Sequence, residues 1–137
     1  MADNKICVGD SAVLEKVFTK EDILSYVKAS NDANPIHVDE EYAKESRFGK
    51  CIVQGMLVAG LISGTIGMQL PGPGSIYLEQ NLRFLAPVFL GDKIIAKVTV
   101  LEIIEAKCIY KLSTICTNQK DANVIEGTAV VMYDGRK

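Results

Sequence analysis

The chain has 137 residues and a formal net charge of -2, with 48% apolar and 23% charged residues. That is enough to bury the core of one domain and too little for two ordinary ones, so residues 1–137 are expected to form a single domain. With 15 basic residues against 17 acidic ones, no Trp and 7% aromatics, the chain lacks both the positive charge that a phosphate backbone needs and the stacking platforms that single strands need. Nucleic acid is therefore not expected as a partner.

Residues 11–18 carry apolar positions suited to a short strand. Thr19 offers a hydroxyl cap to the helix that follows, with Asp22 three residues on, and Ile23, Leu24 and Val27 fall at helical spacing up to Ser30. Pro35 disfavours a helical Asn34, so the next stretch begins as a loop. Asp39 then caps a short helix through Lys44. The acidic run Asp39-Glu40-Glu41 suits the positive end of that helix.

From Cys51 to Leu78 no residue is charged, and residues 51–70 are numerous enough to cross a bilayer. Gln54, Gln69 and a run of glycines weaken insertion, so the expectation is a buried helix over residues 55–69 with no membrane partner. Its small residues, among them Gly55, Gly60, Ser63, Gly64 and Gly67, permit close approach of a sheet. The PGPG turn at residues 71–74 ends it. Residues 75–84, 93–104, 107–116 and 123–133 are rich in β-branched and aromatic side chains and read as strands joined by short connections, hence antiparallel. The class is α+β, with a twisted antiparallel sheet wrapped round one long helix. An open sheet leaves edges that a homodimer would cover.

Cys7, Cys51, Cys108 and Cys116 form no CxxC pair, and the chain has one His, so no zinc site is expected. The opening MADNKICVGD has no basic start followed by an apolar run, and reduced thiols in a cytoplasm are the simpler expectation.

The one histidine, His37, follows Asp32 by five residues across a rigid Asn34-Pro35 step. Brought together in a cleft, an Asp and a His divide acid and base work near neutral pH. Equally, Asp32 can be a turn residue bonding its own backbone. Gly55 stands where the buried helix begins, at unpaired amides and the positive dipole end, which suits a carbonyl oxygen gaining charge. Glycine there is equally suited to close packing. Ser63 lies inside a helix and lacks a nucleophile-elbow setting. Cys51 reads as a core or pocket residue.

The run SNDANPIHVDEEYA at residues 30–43 resembles the signature of MaoC-like (R)-specific enoyl-CoA hydratases, in particular the short single-domain type that feeds polyhydroxyalkanoate synthesis. The likeness continues through IVQGMLVAGLISG at 52–64, LPGPGSIYL at 70–78 and FLAPVFLGD at 84–92. The resemblance implies a hot-dog fold, usually homodimeric, and reversible hydration of a trans-2-enoyl-CoA to the (R)-3-hydroxyacyl-CoA. It places the catalytic pair on Asp32 and His37, the oxyanion-hole amide on Gly55, a supporting serine on Ser63 and a loop-fixing asparagine on Asn34. No metal, flavin or nicotinamide is implied; coenzyme A enters as part of the substrate. Asn31 stands where the signature usually has Gly, and Gln54 where close relatives often carry His. Met56, Leu70, Ile76 and Leu78 are candidates for the acyl tunnel. Arg47, Lys50 and Arg83 are candidates by charge for the nucleotide end. A thioesterase of the same fold and a non-catalytic acyl-CoA-binding subunit are the alternative functions.

Overall fold

The computed structural model describes residues 5–135. Strand β1 (Ser11–Val17) leads into helices α1 (Lys20–Ser30), α2 (Pro35–Val38), α3 (Glu40–Lys44) and α4 (Gly55–Met68), followed by β2 (Ile76–Phe84), β3 (Lys93–Ile104), β4 (Ile109–Thr117) and β5 (Asn123–Met132). The strands form one antiparallel sheet in the order β1-β3-β4-β5-β2. In β3, Ile94, Ala96, Val98 and Val100 are buried on one face, as period-2 patterning demands. Helix α4 lies on that face, against β1, β3 and β4. Its Val58, Leu61, Ile62 and Ile66 complete the core with Leu112, Cys116, Ile125 and Ala129. A long helix packed on one antiparallel sheet is the hot-dog architecture.

Two features depart from the local reading. Only β3, β4 and β5 run as a meander. Strand β2 pairs with β5 at the far edge, and residues 85–92 cross back to β3. That crossing is anchored rather than loose: Leu85 N–H donates to Val124 O at 2.8 Å, and Val88 O accepts from Val53 N–H at 2.7 Å. The glycines of α4 also divide. A Cβ on Gly64 would meet Leu14 at 3.4 Å, but Gly60 and Gly67 face open space, with nothing within 4 Å. Close approach of the sheet accounts for Gly64 alone of those three.

Helix α4 has 14 residues, and the apolar run beyond it turns away at Pro71. No helix among the described residues is long and apolar enough to cross a membrane. All four cysteines are free thiols; Cys7 is exposed and Cys116 is buried in the core.

Burial pushes the Cys116 thiol from an ordinary 9.0 up to about 12. The thiol therefore ionises in the unfolded chain first. The stability gained by keeping it neutral is complete below the unfolded value and is lost as pH rises from about 9 towards 12. Urea midpoints measured across that window are expected to fall less steeply for Cys116→Val than for the parent. Equal slopes would mean that Cys116 does not contribute.

Candidate active site

The site begins with a stop. Helix α1 opens on a full capping box: Thr19 Oγ1 accepts from Asp22 N–H at 3.1 Å, and Thr19 N–H donates to Asp22 Oδ2 at 2.9 Å. The backbone bond from Thr19 also holds the Asp22 carboxyl below its ordinary range, against the smaller opposing effect of burial. The helix ends on Asn31 in the left-handed region at φ 66°, with its N–H on Val27 O at 2.7 Å. Non-glycine residues pay roughly 1–2 kcal/mol for that conformation, and Asn pays least of them. Asn31→Ala is therefore expected to lower unfolding stability by about 1 kcal/mol and Asn31→Gly to leave it nearly level, as thermal or urea unfolding would show.

After this reversal, short bonds set every residue. Asp32 N–H donates to Ser30 Oγ at 3.0 Å, and Asp32 Oδ1 accepts from Asn34 N–H at 3.3 Å. Asn34 Oδ1 accepts from Ile36 N–H at 3.2 Å and so caps α2. Pro35 occupies the first helical position, where its missing N–H costs nothing. The Asn cap and the proline make residues 35–38 a single helical turn rather than the loop that Pro35 alone predicts. That turn directs His37 towards the extended strap before α4. Its Nδ1 lies 2.8 Å from Ile52 O, while Ile52 N–H donates to Ile36 O at 3.2 Å. A carbonyl only accepts, so Nδ1 carries the proton and Nε2 of the neutral ring keeps its lone pair.

The second half of the site is the start of α4. Gln54 O accepts from both Leu57 N–H and Val58 N–H, at 3.0 and 3.1 Å. Among the described residues, the amides of Gly55 and Met56 donate to no acceptor. They sit at the positive end of the helix. A Cβ on Gly55 would lie 2.8 Å from Cδ1 and Cε1 of Phe84, so glycine lets the ring close over the first turn. Gln54 is buried; its Nε2 donates to Ile23 O at 3.2 Å, tying α1 to α4, and its Oε1 has no partner among the described residues.

Both halves meet a cleft of about 620 Å³. Asp32, Ile52, Gly55, Met56 and Phe84 line it, with Val53, Val58, Val88 and Ile125 as its buried floor. Asp32 and the Gly55 amide thus share one apolar chamber. His37 stands half-buried behind Ile52, outside the lining. Ser63 is exposed about two turns further along α4, outside the cleft. Of the tunnel candidates, Met56 is on the wall, Leu70 is in the core, and Ile76 and Leu78 are exposed on β2. Phe84 and Ile125 were missed. They are cross-strand partners, and no signal short of the strand order brings them to Gly55. The Ile52 carbonyl was also missed, since any residue type carries one.

Among the described residues, no three His, Cys, Asp or Glu side chains converge to hold a metal ion. The arrangement offers open amides for a carbonyl oxygen, a carboxyl group on the same cleft and an imidazole of fixed tautomer. Those are the parts for moving protons next to a polarised carbonyl.

Comparison with known proteins identifies the family. The family described as MaoC like domain matches residues 9–122. The (R)-specific enoyl-CoA hydratase of Rhodospirillum rubrum is 44% identical over 128 residues, spanning 93% of this chain and 88% of that protein. The enzyme of the same name from Aeromonas caviae is 43% identical over 131 residues, spanning 96% of this chain and 98% of that one. The solved structure of the A. caviae (R)-hydratase involved in PHA biosynthesis superposes with a TM-score of 0.92 at 42% identity, covering 96% of this chain and 99% of that chain. With the family match spanning most of the sequence and the same fold found in those relatives, the chain belongs to the MaoC-like family.

Proposed function

We propose that this chain is an (R)-specific enoyl-CoA hydratase, a hydro-lyase that reversibly adds water to a short- or medium-chain trans-2-enoyl-CoA to give the (R)-3-hydroxyacyl-CoA. The observation that carries the reading is the meeting of Asp32 with the open Gly55 and Met56 amides in one apolar cleft. The acyl chain occupies the apolar floor, and the thioester oxygen takes the amides at the α4 terminus. Those donors are fixed before the substrate arrives, so charge growing on that oxygen needs no reorganisation of the protein.

His37 acts as base through Nε2, taking a proton from water as its oxygen bonds to C3. Asp32 delivers a proton to C2. The pair ends as imidazolium and carboxylate, and proton return from one to the other restores it. Atoms balance: one water is consumed, with its oxygen on C3 and one hydrogen added at C2. Asn34 holds the turn between the two groups. Ser63 is the proposed supporting residue, although it lies outside the cleft of its own chain. No metal, flavin or nicotinamide has a task in this scheme.

The assembly we propose is a homodimer. Strand β2 is an open edge, and Ile76, Tyr77 and Leu78 on it are exposed. A second copy paired along that edge would cover them. A reducing cytoplasm suits the free thiols.

The test is crotonyl-CoA with purified protein, following loss of enoyl-thioester absorbance beside a thiol reagent and analysing the alcohol by chiral chromatography. The expected result is absorbance loss without thiol release, and the (R)-alcohol. Thiol release would make the chain a thioesterase. Binding without turnover, repeated with a longer enoyl chain, would make it a binding subunit.

A further inference from the structure

Charge alone nominates three side chains to meet the phosphates of a coenzyme A thioester, and the fold separates them. Arg83 lies on β2, opposite Glu126 in the strand register, and is not on the cleft wall. Lys50 places its Nζ 4.5 Å from the centroid of the Phe89 ring, also off the wall. Arg47 lines the cleft. Apart from Asp32, it is the only ionisable side chain among the described residues that does so.

Arg47 is also prepared for a ligand. It is exposed, and among the described residues it is in no ion pair. Its turn is held by local bonds: Ser46 Oγ donates to Ala43 O at 2.5 Å and accepts from Phe48 N–H at 3.2 Å, and Gly49 N–H returns to Ser46 O at 3.1 Å. Phe48, its neighbour on the cleft wall, has its ring centroid 5.8 Å from the Arg47 Cζ. The guanidinium thus stands on an ordered turn at the rim, above an apolar floor. A guanidinium in no ion pair among the described residues, on the wall of a cleft whose other ionisable side chain is Asp32, suits an anionic group at the outer end of the ligand.

We propose that Arg47 anchors the phosphate end of the thioester carrier while the acyl end lies in the cleft. The proposal rests on the hydratase reading for the identity of the acyl end. Its chemistry is a planar guanidinium fork on phosphate oxygens, which is charge-assisted and sensitive to salt.

The experiment compares crotonyl-CoA with crotonyl-pantetheine, which has the same reacting end and no phosphate, using the parent, Arg47→Ala, Arg47→Lys and Arg47→Gln. For Arg47→Ala, KM for crotonyl-CoA is expected to rise about tenfold or more with kcat little changed, a loss of binding rather than of chemistry. KM for crotonyl-pantetheine should be the same in parent and variant. Arg47→Lys should fall between parent and Ala, because it keeps the charge without the fork. Arg47→Gln keeps the stem against Phe48 and should match Ala. Added salt should raise the parent's KM for crotonyl-CoA and narrow the gap.

An unchanged KM for crotonyl-CoA would overturn the anchor. So would an equal rise with crotonyl-pantetheine, because Arg47 would then act on the fold or on the acyl end. Calorimetric binding of coenzyme A itself needs no turnover. Loss of that binding in Arg47→Ala by a protein that hydrates nothing would uphold the anchor and remove the hydratase reading. Active hydration with no Arg47 effect would do the reverse.

Discussion

His37→Asn is expected to lower kcat for crotonyl-CoA hydration by about 10²–10⁴-fold while the protein remains folded. The choice of Asn makes the result specific. Its side-chain amide can still donate to Ile52 O, the bond that His37 Nδ1 makes at 2.8 Å. What it lacks is a basic nitrogen at the position of Nε2. Asp32→Asn works in the same way. Its carbonyl oxygen can still accept from Asn34 N–H, the bond that Asp32 Oδ1 makes at 3.3 Å, but it cannot exchange a proton. Each variant therefore keeps the turn and removes the chemistry. Groups that act as a unit are strongly non-additive, so the double variant should fall little below the worse single one. Unfolding midpoints near the parent's, with activity lost in both, is the expected pattern. Activity within threefold of the parent in either variant would remove that residue from the proposed reaction.

Gly55→Ala is expected to separate stability from activity in the opposite direction. Alanine is the better helix former by about 1 kcal/mol, so the start of α4 gains propensity. The new methyl would lie 2.8 Å from two ring atoms of Phe84, a distance that neither group tolerates. Phe84 is half exposed, at 51%, and therefore has room to swing. Both residues line the cleft, so a displaced ring or a tilted first turn moves the open amides relative to the thioester oxygen. Misplacement on the scale of an ångström costs about 10²-fold in rate. We expect a loss of about that size in kcat with little change in melting temperature. Adding Phe84→Ala to Gly55→Ala should recover part of the activity, giving a coupling between the two sites in a double-mutant cycle. No recovery would show that the ring is not the obstacle. An unchanged kcat in Gly55→Ala would show that the Phe84 ring swings clear without moving the α4 amides, which alanine also carries.

Local grammar made much of the scaffold legible. Thr19 with Asp22, Asp39 before Glu40, and Pro71 after the apolar helix are start and stop signals whose partners lie within a few residues. Alternation in residues 93–104 and 107–116 is likewise a local property. The strand order was not legible, because the partner of β2 is chosen by an anchored crossing, and nothing near residue 84 specifies residue 125. The same limit applied to the site. Asp32 and Gly55 stood out because their types and local settings are unusual for chemistry. Phe84 over Gly55, Ile52 O on His37 and Arg47 at the rim depend on contacts across strands or between distant segments. Of the tunnel candidates, Leu70, Ile76 and Leu78 are close to α4 along the chain, and in the single chain they lie in the core or on the open edge rather than on the cleft wall.

Ile52 is tied at both ends of its peptide unit, through its N–H to Ile36 O and through its carbonyl to the His37 ring. Because the group that sets the ring's tautomer is main chain, almost any side chain can occupy position 52 without altering it. Substitution there can reshape the wall of the chamber while the imidazole keeps its orientation. Proline is the exception, since it would delete the N–H that holds the strap to α2. In the proposed reaction, residue 52 is thus a natural place to retune substrate size, since it lines the cleft while its backbone holds the His37 ring.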